Sequence, residues 1–109
     1  MDLLNLSPLA HTWILDFDGT LVRHNGYKTG ADEWLPGALD FLHSIPKEDL
    51  VILLTAREAA ARDRTLAFIR EAGVRIDHVC FEVPMGERIL INDTKISGAG
   101  WLQMVRTRR

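Results

Sequence analysis

Two aspartates stand one residue apart at the end of an apolar run, Asp16 and Asp18 in "WILDFDGTLV" from Trp13 to Val22. Like charges so close repel each other, and stability alone does not ask for them. In extended chain alternate residues share a side, so Asp16 and Asp18 would face one pocket while Phe17 packs the other way. Two other apolar runs also end in polar residues: "LVILLT" leads into Thr55-Ala56-Arg57, and "RILIND" into Asn92-Asp93-Thr94-Lys95. If the fourth run lies beside the first, Asp93 joins the aspartate pair. Three carboxylates in one crevice are costly without a cation between them. Mg²⁺ is a hard ion that takes oxygen ligands and keeps waters or phosphate as the rest of its shell. The pattern therefore points to a metal held by Asp16, Asp18 and Asp93. A lone acid at a strand end means little, and Asp-Gly-Thr can be only a turn. The three polar strand ends carry the argument together.

These residues need strands to present them. Four strand-length apolar runs, "TWILDF", "LVILLT", "HVCFEV" and "RILIND", are continuous rather than alternating, which predicts strands covered on both faces of a parallel sheet. Helical patterns lie between them. In "LPGALDFLHSIP", Ala38, Phe41, Leu42 and Ile45 recur at helical spacing, with Pro36 suited to the first turn and Pro46 as terminator. In "REAAARDRTLAFIREAG", Ala59, Leu66 and Ile69 mark one face and Gly73 fits a C-terminal cap. A short helix is expected near Trp101 to Arg106. Asn25-Gly26 predicts a tight β-hairpin after the first strand. Alternating strands and helices make an α/β sheet with right-handed crossovers, and ligands bind such sheets beyond the carboxyl ends of the strands, where strand order reverses. The third run ends in "EVPMG", and its Glu82 reads as surface.

Composition narrows the class. The 109 residues suffice for a single domain over 1–109, and 47% hydrophobic with 26% charged residues is ordinary for a folded chain and argues against disorder. A net charge of -2 does not recommend nucleic acid as a partner. The basic tail "VRTRR" reads as solvated. The single cysteine, Cys80, excludes a disulfide framework and a cysteine metal cluster, and its apolar surroundings predict a buried thiol. The first residues lack the positive start of a secretion signal, and no apolar run approaches the ~20 residues that span a bilayer. No membrane association is expected, and a reducing cytoplasm is the expected location.

At these residues the chain resembles a family. "DFDGT" is similar to the first motif of the haloacid dehalogenase (HAD) superfamily of phosphohydrolases, "VILLTAR" to the second and "ILIND" to the fourth. The likeness runs from about Trp13 to Lys95. It implies a Rossmann-like three-layer sandwich with a small, mostly parallel sheet. It further implies a Mg²⁺-dependent phosphomonoesterase with an aspartyl-phosphate intermediate. Asp16 would be the nucleophile and a metal ligand. Asp18 would be general acid and then base, with its backbone carbonyl on the metal. Thr55 would hydrogen-bond the phosphoryl group, Asp93 would be the second acidic ligand, and Gly19 and Thr20 would lie against the substrate.

The family's third motif supplies a Lys or Arg to the nucleophile and phosphate. Here Arg88 and Lys95 compete. Lys95 is favoured, because Arg88 would begin the fourth strand and point to its far end. Arg57 is a candidate for phosphate or substrate contact. Asn92 stands where the family often has Gly or Asp, and no later acid follows closely. Neither gap between motifs has space for a cap domain, so an open site is expected, covered at most by the hairpin with Arg23, His24, Tyr27, Lys28 and Trp34. "GERILINDTK" is similar to small HAD proteins of bacterial surface-polysaccharide pathways, which makes a sugar phosphate the first substrate expectation. An open site and a small core leave a homo-oligomer plausible. The alternative reading is a catalytically weak HAD-like domain that binds a phosphorylated ligand or a partner enzyme. A phospho-acceptor signalling domain fits less well, since its acceptor usually sits on a middle strand.

Overall fold

The computed structural model describes residues 6–24 and 26–92. Three parallel strands, β1 (Thr12–Asp16), β2 (Leu50–Leu54) and β3 (His78–Cys80), form one sheet in the order β1-β2-β3. Between β1 and β2 come a helical turn, α1 (Gly26–Thr29), and α2 (Ala38–Ser44). Between β2 and β3 a 3₁₀ turn at Ala59–Ala61 runs into α3 (Arg62–Glu71). No helix among the described residues is long and apolar enough to cross a membrane.

The predicted strand-helix alternation holds up to β3. α2 starts two residues after Pro36, because Gly37, at φ 85°, turns the chain first. It buries Ala38 and Leu42, one helical turn apart. α3 buries Thr65 and Ile69 at the same spacing, behind Ala61. Ala59 of the expected face is exposed instead. Gly73 has φ 72°, and its N–H donates to the Arg70 carbonyl at 3.1 Å, closing α3 as expected.

Among the described residues two layers form, the sheet and the helices on one of its faces. Exposure alternates along the strands: Val51 and Leu53 are fully buried, while Thr12, Ile14, Asp16, His78 and Cys80 are exposed. Paired registers place Leu15, Leu53 and Val79 together, and these pack with Leu42, Ile69 and Phe68 in one core. The reason is topological. Two crossovers of one hand, moving one way across a sheet, put both helices on the same face. The opposite face, with Ile14 and Cys80, is open among the described residues. Cys80 is therefore an exposed thiol and not the expected buried one.

The fourth expected strand is absent from the described residues 88–92. Ile89 and Ile91 are 83% and 91% exposed. After β3 the chain crosses the carboxyl end of the sheet: the Glu82 N–H donates to the Arg57 carbonyl at 2.9 Å and the Val83 N–H to the Thr55 carbonyl at 3.0 Å. It thus reaches the top of β1, whereas a parallel strand beside β1 has to start at the bottom. The reversal of strand order that would form a crevice is accordingly missing among these residues. Asp93, Lys95, the expected helix near 101–106 and the basic tail lie outside them.

The expected tight hairpin is also replaced. Val22 pairs antiparallel with Trp34, flanked by Arg23 N–H to Glu33 carbonyl (2.9 Å) and Leu35 N–H to Leu21 carbonyl (2.8 Å). The intervening chain contains α1, with Gly26 as its first residue rather than a turn glycine; Asn25 lies outside the description. Residues 23–35 thus form an excursion whose two ends are pinned together.

Candidate functional site

β1 ends at Asp16, and the chain turns at once. The carbonyl of Phe17 receives the N–H groups of Thr20, Leu21 and Val22, and the Gly19 N–H donates to the Val22 carbonyl at 2.8 Å. Gly19 takes φ 84°, which an L side chain rarely adopts. Phe17 is fully buried and anchors this loop in the core. The loop therefore carries Asp16, Asp18, Gly19 and Thr20 at the carboxyl end of β1.

Among the described residues the two aspartates face different side-chain cations. Each has its own arginine. The Asp16 side chain is 46% exposed, and its Oδ1 faces Arg88 Nη2 at 3.4 Å, across 72 residues of sequence. Arg88 is held from behind, since its Nη1 donates to the carbonyls of Pro84 (2.7 Å) and Gly86 (2.9 Å). The expectation that Arg88 points to the far end of a strand is corrected by the missing strand: its guanidinium sits at the carboxyl end. Lys95, preferred from the sequence, is outside the described residues.

Asp18 turns inward. Its Oδ1 receives Arg57 Nη2 at 2.8 Å and Nε at 3.1 Å, and its Oδ2 receives the Thr55 hydroxyl at 2.9 Å. Thr55 is 1% exposed, and its hydroxyl also accepts the Arg57 N–H at 3.2 Å. The resemblance would put Thr55 against a phosphoryl group; here its hydroxyl donates to Asp18 and accepts the Arg57 N–H. The extended alternation that would point both carboxylates into one pocket stops with the strand at Asp16.

Arg57 departs furthest from expectation. The sequence makes it a candidate for phosphate or substrate contact, yet it is 1% exposed. Its Nη2 and Nη1 donate to Asp32 Oδ1 (2.6 Å) and Oδ2 (3.1 Å), Nη1 also donates to the Thr65 hydroxyl (2.8 Å), and the guanidinium lies over the Phe17 ring at 4.8 Å. Burial works against its charge but is outweighed by the hydrogen bonds to Asp32 and Asp18, which hold its pKa above the ordinary arginine value. The fork geometry explains why an arginine stands here: only a guanidinium presents paired donors to two carboxylates at once. Asp32 is the residue that sequence reading missed. It lies in the excursion, far from any motif, and an acid in a loop carries no local signal. Only a buried arginine that needs a second counter-charge would have revealed it.

Among the described residues no group of three His, Cys, Asp or Glu side chains is placed to hold a metal ion. The available donors are of the right type for Mg²⁺, because the exposed Asp16 carboxylate is a hard oxygen ligand. With the Asp18 carboxylate engaged by Arg57 and Thr55, its backbone carbonyl is the donor that remains to be considered, and Asp93 is not described. Glu82, read as surface, is exposed, and its Oε2 accepts the Ala59 N–H at 3.2 Å. Its φ of 59° belongs to the bend that carries the chain from β3 over the sheet.

No protein-family model, curated protein or solved structure matches the chain.

Proposed function

We propose that the protein is a phosphomonoesterase of the HAD type, acting through an aspartyl-phosphate on a small phosphate ester such as a sugar phosphate. The observation that carries the reading is the pair Asp16 and Arg88: an exposed carboxylate facing an anchored guanidinium at the carboxyl end of a parallel strand. An anionic nucleophile attacking an anionic phosphate ester needs a cation at hand to take up the oxygen charge. The motifs around Asp16, Thr55 and Asp93 add the resemblance.

In this reading Arg88 binds a phosphate oxygen and holds the ester over Asp16. An Asp16 oxygen attacks phosphorus, and the bond to the leaving oxygen breaks as Asp18 gives that oxygen a proton. Asp18 then takes a proton from water, which attacks the acyl phosphate at phosphorus; inorganic phosphate leaves and Asp16 is regenerated. Mg²⁺, held by the Asp16 carboxylate and the Asp18 carbonyl with Asp93, would neutralise phosphoryl charge when bound. The Asp18 side chain is 16% exposed, and this exposed part is where it would meet the leaving oxygen.

The test is phosphate release from a panel of phosphate esters, with and without Mg²⁺, using wild type and Asp16→Asn. The exchange removes the nucleophile with almost no change in volume. Release that depends on Mg²⁺ and falls by at least ~10³-fold in Asp16→Asn is expected for covalent catalysis. Undiminished hydrolysis by that variant sinks the nucleophile assignment. A second reading, a domain that binds a phosphorylated ligand or partner without turning it over, is favoured by the burial of Thr55 and by the inward turn of Asp18. A folded wild type that releases no phosphate from any ester selects it.

A further inference from the structure

We propose that Arg57 is a positioning residue: its buried guanidinium, forked between Asp32 and Asp18, lets the 23–35 excursion set the direction of the Asp18 carboxylate. The inference rests on the reading that Asp18 handles the proton of the leaving group. Arg57 reaches no solvent-borne substrate, being 1% exposed. Its Nη2 bridges the two acids, 2.6 Å from Asp32 and 2.8 Å from Asp18. The Thr65 hydroxyl on α3 receives Nη1 at 2.8 Å and fixes the guanidinium plane from the helix side.

Asp32 is itself nearly buried, with a side chain 4% exposed, and belongs to the segment that follows the catalytic loop. The excursion is tied at its base by the Val22–Trp34 pairing and packed by Trp34, which stacks on Phe68 of α3 at 4.9 Å. A shift of the excursion therefore moves Asp32, and with it the guanidinium that holds Asp18. Substrate contacts made by the excursion would be felt at the acid without touching it. The fork fixes which part of the 16% exposed Asp18 side chain faces out, and proton delivery depends on that placement within a fraction of an ångström to an ångström.

The experiment compares two esters whose leaving groups differ in their need for a proton. An alkyl phosphate requires protonation as it leaves; 2,4-dinitrophenyl phosphate does not. Wild type, Asp32→Asn and Arg57→Lys are assayed on both with Mg²⁺ present, and near-ultraviolet circular dichroism and melting temperature report the folded fraction. Asp32→Asn keeps the volume and loses the counter-charge; Arg57→Lys keeps the charge and loses the fork. The expected result is a fall of about 10- to 100-fold in kcat on the alkyl ester, and under about threefold on the dinitrophenyl ester, for both variants. A purely structural role lowers both rates equally, in step with the folded fraction, and that outcome overturns the proposal. So does an unchanged alkyl-ester rate in folded Asp32→Asn, while wild-type turnover abolished by Asp16→Asn leaves the phosphatase reading standing. Wild type inactive on both esters overturns the phosphatase reading and the positioning role with it.

Discussion

Gly19 is a residue whose backbone, rather than its side chain, decides the site. At φ 84° it lets the chain fold back beneath Asp18, and a Cβ placed there would meet His24 Nδ1 at 3.5 Å, an ordinary contact. Space is available, so the cost of Gly19→Ala is conformational. It is expected at about 1–2 kcal/mol, which for a domain of this size lowers the melting temperature by roughly 4–16 °C. Thermal unfolding of the variant checks this. Arg88 makes the complementary case, since its side chain matters and its backbone does not. Arg88→Ala is expected to lower kcat/KM on phosphate esters by about 10- to 100-fold, the loss of one charge-assisted hydrogen bond to phosphate, with an unchanged melting temperature. Steady-state kinetics beside a melting curve separates the two effects. Both residues stand out in the sequence, but only the fold of residues 81–88 shows which end of the sheet Arg88 occupies.

Among the elements, β1 and β2 are joined at their amino ends by Asp49. Its Oδ1 accepts the His11 N–H at 3.0 Å and its Oδ2 the Trp13 indole N–H at 2.9 Å. These bonds, the His11 one first, hold its carboxyl below the usual range. A neighbouring carboxyl, Asp77, is held low in the same direction, first by the Val51 N–H and then by Arg75. A depressed folded value means that the ionised form stabilises the fold above the unfolded pKa, near 3.9, and that this contribution is lost as pH falls through the folded value. Wild type is therefore expected to lose melting temperature on acidification from pH 5 to pH 2, with a shallower slope in Asp49→Asn. Equal slopes would remove Asp49 from the acid response. Elements of this kind were partly legible. Runs such as "VILLT" and "TLAFI" announce a strand and a helix by composition and period. The one-sided sheet was not legible, because an apolar run looks the same whether one or two faces are covered. "RILIND" has strand composition too, but the path taken by the preceding residues brings Arg88, its first residue, to the carboxyl end of β1. Of the site, Asp16, Asp18, Thr55 and Arg57 could be read from where the runs end. Which of them pair with each other could not, since burial of Arg57 depends on Asp32, which no pattern marks.

At the scale of the molecule, the core of the described residues lies on one side of the sheet, and the cost of substitution follows it. Leu53→Ala removes a fully buried side chain between α2 and α3 and is expected to cost about 2–5 kcal/mol. Ile89→Ser and Ile91→Ser alter exposed side chains and are expected to stay within about 0.5 kcal/mol. Denaturant titration of the three variants ranks them, and a large loss at Ile89 or Ile91 would mean that this run is packed in solution. The separation of the site residues also bears on the order in which the chain is made. Asp18 is synthesised 39 residues before Arg57, and Asp16 72 residues before Arg88. During synthesis from the amino terminus, both acids emerge without their cations, and β1 waits for β2 before it can pair. The Asp18 fork closes only once Arg57 has been added, and the Asp16 partner arrives only after β3. A chain cut short before Arg88 contains every residue of the three strands and of the buried fork but lacks the cation that faces Asp16, so the pair that carries the proposed chemistry is completed last, by residues that the sheet itself does not contain.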